Sequence, residues 1–367
     1  AVPASADAHD ICQNVYRKQP EGDTMKHLLN TLFVTSEDAY LTLDGENVVV
    51  NREKSEVGRF PLHNLCGIVC FSYAGASPSL MGACAERNVA LSFCTPRGRF
   101  LAKVNGITGG NVLLRRKQYR LADDEEKSCF IARNMIYGKL YNARRSIERT
   151  KRDHKERIDR EKFAASSDTI SNLFRSVLKE TSLDSLRGFE GVGANAYFDV
   201  FDDMILRDKE QFYFRERNRR PPLDKVNALL SFAYNLLAND CASGLEAVGL
   251  DSFVGFLHRD RPGRTSLALD LMEELRPCMA DRFVLSAINN KSIQTKDFQT
   301  AENGAVLLTD DGRRKFLKSW QEHKQTVITH PFLNEKVPWG LVPYVQALLL
   351  ARFIREDLDA YPPFLWK

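Results

Sequence analysis

From Met25 to about Ile107 the apolar positions of the chain recur with a period of two. LLNTLFV, AYLTL, NVVV, GIVCF, VALSF and RFLAKV are short runs rich in β-branched and aromatic residues. Alternation of this kind puts successive side chains on opposite faces of an extended chain, the pattern of half-buried strands. Asp44-Gly45, between LTL and NVVV, predicts a hairpin. One helix interrupts the strands at SPSLMGACAER (77–87), with Ser77 placed to cap it and Pro78 at its first position. After Gly109-Gly110 the period lengthens to that of helices and stays so nearly to the end. The expected fold class is therefore α+β: a small N-terminal β domain at 25–108, then a larger, all-helical domain at 109–367. Residues 1–24 are polar and patternless, an extension or a fusion or expression remnant ahead of Met25.

Within the second part, 111–162 holds long helical stretches, and 186–213 and 223–250 are apolar-periodic helices. Between Arg144 and Lys162 stand nine basic and five acidic residues, with opposite charges four apart at Glu148/Arg152, Asp153/Arg157 and Glu156/Arg160. Such a segment is either a solvated helix laced by ion pairs or a surface for nucleic acid. DFQTAENGAVLLT predicts a small hairpin with Asn303-Gly304 at its tip, two more helices follow, and the aromatic tail YPPFLWK is expected to dock on the body.

Composition narrows the class only a little. At 367 residues two domains are expected, and 43% hydrophobic with 27% charged residues is a globular composition. A net charge of +4 is mild, so a nucleic-acid partner needs a local concentration of basic residues. The eight cysteines form no CxxC pair and sit in apolar company, as expected of small buried thiols in a reducing compartment. No apolar run reaches the ~18 residues that a membrane span needs. A cytoplasmic location is the expectation.

The chemistry concentrates in FVGFLHRDRPGRTSLALDLMEELRP (253–277). An apolar run ends at His258, a basic turn follows (Arg259, Arg261, Gly263, Arg264), and a helix opens near Thr265 or Ser266 and is stopped by Pro277. Asp270 and Glu273 lie three apart and share a face of that helix. Carboxylates beside an imidazole suit a divalent metal, and arginines suit a phosphate-bearing ligand. Two further stretches carry candidate residues. Glu190 is flanked by glycines in RGFEGVGANAY, and RERNRRPP (215–222) carries Arg215, Arg217, Arg219 and Arg220. Each has a plainer reading. Glu190 could complement a dipole from a helix's first turn, His258 could be a satisfied core residue, the carboxylate pair could be a solvated face, and the arginine loop a solvated connection. Spacing alone does not bring Glu190, His258 and the Asp270/Glu273 pair together.

RGFEGVGANAYF, PPLDKVNALLSFAYNLL, GLDSFVGFLHRDRPGRTSLALDLMEELRP and KVPWGLVPYVQALLLARFIREDLDAYPPFLWK strongly resemble the CRISPR-associated integrase family, the universal first Cas protein of adaptive immunity. FPLHNLCGIVCF and YAGASPSLMGACAERN look most like its subtype I-C branch. The resemblance runs from Met25 to Lys367. It implies an N-terminal β domain with a helical catalytic domain, and a metal site at Glu190, His258 and Glu273, with Asp270 as an adjacent functional acid that completes the coordination or its surroundings. It implies Mg²⁺ or Mn²⁺, and insertion of captured foreign DNA into a CRISPR repeat by attack of a 3′-hydroxyl on a phosphodiester. With water as nucleophile the same site would be an endonuclease. The implied partners are double-stranded DNA, a second copy of the chain, the small ferredoxin-like second Cas protein in a heterohexamer, and the iron–sulfur nuclease of the operon; Arg215–Arg220 and Arg259, Arg261 and Arg264 are expected on the DNA backbone. A structure-selective nuclease cutting branched DNA, or a non-catalytic DNA scaffold, are the alternatives.

Overall fold

The computed structural model describes residues 30–34, 36, 38–53, 55–87, 89–94, 100–104 and 112–366. The patternless stretch 1–24 lies outside them. By contacts the described chain forms two compact units, one of 30–104 with Ser292–Thr326, the other of 112–291 with 327–366.

The first unit begins with seven strands: β1 (Asn30–Val34), β2 (Tyr40–Asp44), β3 (Asn47–Arg52), β4 (Ser55–Pro61), β5 (Leu65–Cys70), β6 (Ala90–Cys94) and β7 (Phe100–Val104). Strands β2, β3 and β4 form an antiparallel sheet. The others pair in the order β1-β5-β6-β7, parallel except for the β6–β7 pair. The predicted hairpin joins β2 to β3, with Gly45 at φ +57°, a conformation that glycine adopts without strain. Helix α1 (Pro78–Glu86) follows β5, and the Ser77 hydroxyl accepts from Leu80 N as its cap. Leu41, Val48, Ile68, Leu80 and Leu91 are fully buried in one core. Strand β4 carries no alternating signal because none of its residues is buried; it is held by pairing to β3.

The second unit is mostly helical: α2 (Val112–Ala122), α3 (Glu125–Asp153), α4 (Arg160–Lys179), α5 (Leu183–Asp199), α6 (Lys225–Ala247), α7 (Ser266–Leu275) and α8 (Arg282–Asn289). The chain then passes through the β8 (Phe298–Thr300)–β9 (Val306–Leu308) hairpin and α9 (Asp310–Gln325), which group with the first unit, and returns by β10 (Val327–Thr329), β11 (Lys336–Pro338) and α10 (Val342–Ile354). Two antiparallel ribbons thus make the part after residue 109 mostly rather than entirely helical. A domain boundary near residue 108 is thus proposed for the sequence order alone, since Ser292–Thr326 group with the first unit. Helix α5 ends at Asp199, short of the expected 213. Helix α3 ends at Asp153, where its pairs are Glu148–Lys151 and Arg149–Asp153, so Glu156 and Arg160 do not share a helix.

Pro277 does not stop the helix that carries Asp270 and Glu273. Arg276–Asp281 form a π-helical turn that leads directly into α8. Proline has no N–H to donate and its ring crowds the preceding turn, and a wider turn relieves both conflicts. The C-terminal tail docks as expected, with Tyr361 and Phe364 fully buried. Among the described residues no helix is long and apolar enough to cross a membrane.

Candidate active site

Helix α7 is buried almost throughout, with Asp270 and Glu274 fully inaccessible and Glu273 3% exposed. Three carboxylates on so buried a helix need partners, and each finds a different set.

Asp270 turns back on the loop before it. Its Oδ2 accepts from Phe256 N (2.6 Å) and Leu257 N (2.9 Å), and its Oδ1 accepts from His258 N (3.0 Å) and contacts His258 Nδ1 (2.5 Å). Four donors occupy the carboxylate, so of the two roles open to Asp270 the geometry favours orienting His258. Gly255 makes the approach possible, since a Cβ there would lie 2.8 Å from Asp270 Oδ2. His258 is therefore neither free nor a core residue: its side chain is 21% exposed, and Nε2 faces Glu273 Oε1 at 4.0 Å. A histidine held at one nitrogen by a carboxylate presents the other nitrogen in a fixed direction, the usual support of a metal-ligating imidazole.

Glu273 sits among cations. Arg276 Nη1 is 3.1 Å from its Oε1, and Lys139 Nζ of α3 is 2.7 Å from its Oε2. Burial would raise its pKa, but Arg276, Lys139 and His258 outweigh burial and hold it at about 2. The same Lys139 ammonium reaches Glu190 Oε1 on α5. Burial opposes its charge, and the two glutamates overcome that and raise its pKa above the ordinary lysine value. Glu190 lies in the third turn of α5, which opens at Leu183, so it does not serve the helix dipole from a first turn. Of its glycine neighbours, Gly188 and Gly191 face open space, whereas a Cβ at Gly193 would meet Leu140 Cδ2 at 2.1 Å. Packing therefore requires the third glycine only.

Glu190, His258, Asp270 and Glu273 are thus brought into one connected cluster, through a lysine that sequence reasoning did not select. Arg276 was missed as well. The one sequence signal for Lys139 is a charged residue inside the apolar helical run MIYGKLY, a pattern that a lysine with its stem on apolar surface and its charge in water also gives. Among the described residues, as placed, no three His, Cys, Asp or Glu side chains stand close enough to enclose an ion, because the ammonium lies between Glu190 and Glu273. The donor set nonetheless suits a divalent metal: two carboxylates and one oriented imidazole, with Glu273 Oε2 buried and making no well-formed hydrogen bond.

The arginines divide into roles. Arg261, Arg219 and Arg220 all act on the Arg264 guanidinium, whose pKa is lowered first by burial and then by the repulsion of Arg261; Asp270 opposes this, and Arg219 and Arg220 add to it. The loop and the turn therefore bring like charges together next to Asp270, an arrangement that phosphate would relieve. Arg217 donates to Asn227 Oδ1 (2.6 Å) and Ser231 Oγ (3.1 Å) of α6 and lies over the Tyr234 ring, so it builds the loop. Arg215 lies over Tyr213, and Arg259 pairs with Asp184 (3.2 Å) at the surface. Beside the cluster is a cavity of about 310 Å³ lined by Lys139, Tyr197, Arg217, Arg219, Tyr234, Arg276 and Asp281, among others. Burial lifts Asp281 to about 6 against the opposing effect of the Tyr234 hydroxyl, which donates to it at 2.5 Å.

On the other side of α7, Glu274 anchors the tail. It accepts from the Tyr361 hydroxyl, from Gln346 Nε2 (2.8 Å) and from Phe364 N (2.9 Å), and burial lifts its pKa to about 7 against those bonds.

Comparison with known proteins agrees with this architecture. The family model described as "CRISPR associated protein Cas1" matches residues 32–322. The chain is 48% identical over 343 residues to CRISPR-associated endonuclease Cas1 1 of Chlorobaculum tepidum, covering 94% of this chain and all of that protein. It is 49% identical over 347 residues to Cas1 2 of Rhodospirillum rubrum, with the same coverage. A Cas4 exonuclease/Cas1 endonuclease fusion of Geobacter sulfurreducens is 34% identical across 91% of this chain and 60% of the fusion. Among solved structures, a casposase bound to integration product superposes with a TM-score of 0.79 at 22% identity, over 92% of this chain and 94% of that one. A Cas6-RT-Cas1–Cas2 complex gives 0.77 at 20%, over 94% of this chain and 37% of that one. With buried carboxylates and an oriented histidine on the matched segments, the chain belongs to the Cas1 family of CRISPR-associated proteins.

Proposed function

We propose that this chain is a metal-dependent DNA integrase and endonuclease of CRISPR spacer acquisition, with Glu190, His258 and Glu273 as metal ligands and Asp270 as the residue that orients His258. The observation that carries this reading is the junction of α5, α7 and the 253–264 loop at one cluster, beside guanidinium groups that crowd Arg264. It is supported by relatives named as endonucleases and by the likeness in fold to a casposase bound to an integration product.

In this reading Arg219, Arg220, Arg261 and Arg264 draw a phosphodiester to the cluster and hold it in register without reading bases; Arg215 and Arg259 extend the surface and Arg217 braces it. Asp270 fixes the imidazole, and the cations around Glu273 keep that carboxylate ionised. Mg²⁺ or Mn²⁺, held by the three ligands, would stabilise the charge that develops on the phosphate. The 3′-oxygen of a captured fragment forms a bond to phosphorus and the repeat strand's own 3′-oxygen leaves; water in place of the fragment gives cleavage. The partners in this reading are double-stranded DNA, a second copy, the second Cas protein in a heterohexamer and the iron–sulfur nuclease, in a subtype I-C-like system in the cytoplasm. The likeness to a Cas6-RT-Cas1–Cas2 complex and the Cas4 exonuclease/Cas1 endonuclease fusion among the relatives support the second Cas protein and an associated nuclease.

The test combines the chain, its second Cas protein, a plasmid carrying the repeat, short DNA duplexes and Mn²⁺. Joined products are expected, and Glu190→Ala or His258→Ala should abolish them while DNA binding persists. Cleavage without joining would favour a structure-selective nuclease, and full activity in either variant would remove the site assignment.

A further inference from the structure

We propose that Lys139 is a resident cation of the site: its ammonium holds Glu190 and Glu273 together until a divalent ion takes its place between them, and it then turns into the neighbouring cavity. This inference rests on the metal-site reading above. Nζ contacts Glu190 Oε1 and Glu273 Oε2, oxygens from two helices and from two of the three proposed ligands. A divalent ion bound to carboxylate oxygens sits about 2.0–2.6 Å from them. An ammonium touching the same two oxygens fills the same space, and two cations there would repel. Metal and lysine therefore compete for one set of donors.

Arg276 is not the competitor. Its guanidinium meets Glu273 at the other oxygen, Oε1 (3.1 Å), where it neutralises charge without bridging the pair. A lysine suits the exchange because its charge is compact and its four-carbon stem is flexible, so the ammonium can leave while α3 stays in place. It also has a destination. Lys139 lines the cavity of about 310 Å³, and Asp281 on the wall of that cavity offers a replacement counter-charge. Without the lysine, Glu190 and Glu273 would face each other with Arg276 and His258 both acting on Glu273, at its other oxygen. Lys139 is thus a positioning residue, which sets the order of the metal-free site and the affinity for metal.

The experiment titrates Mn²⁺ alone into the metal-stripped full chain by calorimetry and measures melting with and without Mn²⁺. Lys139→Met should bind Mn²⁺ about tenfold tighter than wild type or more, within the range usual for coupled binding events. It should melt lower than wild type without Mn²⁺ and gain more on adding it. Lys139→Arg keeps a cation and should bind no tighter than wild type. A Lys139→Met variant that binds Mn²⁺ equally or more weakly overturns the proposal. Glu190→Gln separates the two readings: if it binds Mn²⁺ as well as wild type, the metal site is misassigned and the proposal falls with it; if it binds more weakly and Lys139→Met no tighter, the proposal alone falls. Should Lys139→Met not fold, amine labelling of wild-type Lys139, read by mass spectrometry, decides. Mn²⁺ should raise it several-fold, and unchanged labelling refutes the displacement.

Discussion

In the proposed site Asp270 would act through His258 rather than on the substrate. Three backbone N–H groups and the imidazole surround it, so Asp270→Asn would turn an amide NH₂ against groups that themselves donate. We expect this substitution to slow strand transfer about 10- to 100-fold, the usual loss when the support of a ligating histidine is removed. The loss should appear in the rate at saturating DNA and leave DNA affinity near wild type, as single-turnover assays and binding titrations will distinguish. Glu274, one residue from Glu273, answers to pH in the opposite sense from its neighbour. Its folded pKa, about 7, lies above the ordinary 4.5, so the folded state binds more protons between those values. Stability from this group is complete below about 4.5 and falls as pH rises to about 7, by about 3 kcal/mol if the whole shift is expressed. Glu273, held at about 2, contributes stability above 4.5 that is lost as pH falls toward 2. Calorimetric melting of Glu274→Gln should show a flatter decline between about pH 4.5 and 7 than wild type. An unchanged slope would place the titration elsewhere, with Asp281, raised to about 6, the next group to test.

At the scale of elements, the site depends on helix α7 being clamped from both sides. Asn142 of α3 joins it to the tail: its Nδ2 donates to Glu274 O and Phe364 O, both at 2.7 Å, and its Oδ1 accepts from Trp366 N at 2.9 Å. Asn142→Ala would remove the Asn142 bonds of Phe364 O and Trp366 N and leave Glu274 O only its weak bond from Cys278 Sγ (3.7 Å), a loss of about 2 kcal/mol or more at 1–3 kcal/mol for each orphaned group. Urea denaturation will measure it, and a loss below about 1 kcal/mol would mean that the tail is held by its aromatic burial alone. Much of this framework is legible in the sequence. Alternation marks β1, β2, β3, β5, β6 and β7, Ser77-Pro78 marks the start of α1, and the leucines around Asp270 announce a buried helix. What escapes has a physical reason in each case. Strand β4 buries none of its residues and so writes no pattern; Pro277 reads as a stop because a π-helical turn leaves no trace in periodicity. Lys139 and Arg276 escape because a long basic side chain in a helix more often lays its stem on apolar surface with its charge in water. Only the placement of α3 against α5 and α7 reveals that their charges are buried in the cluster.

For the whole molecule, a net charge of +4 says little, since 52 basic and 48 acidic residues nearly cancel. What matters is that basic charge is concentrated locally: Arg219 and Arg220 from one loop and Arg261 from another all act on Arg264, beside Asp270. Guanidinium groups repelling one another in the free protein are relieved when phosphates neutralise them, and each such contact releases a condensed counterion. Affinity for duplex DNA should therefore fall steeply with salt, and removal of one contacting arginine should lower the slope of log affinity against log salt by about 1. Arg261→Ala and Arg219→Ala, whose guanidinium groups carry no bond like those of Arg217 among the described residues, are the variants to titrate. Arg217→Ala should act differently, loosening the loop through loss of Asn227 and Ser231 and lowering stability more than the salt slope. Fluorescence titrations of a labelled duplex from about 50 to 200 mM salt, the range over which phosphate contacts weaken most visibly, would separate the two classes. If Arg261→Ala and Arg219→Ala leave the slope unchanged, the DNA lies on another face. The charge crowding beside Asp270 would then serve the fold rather than the substrate.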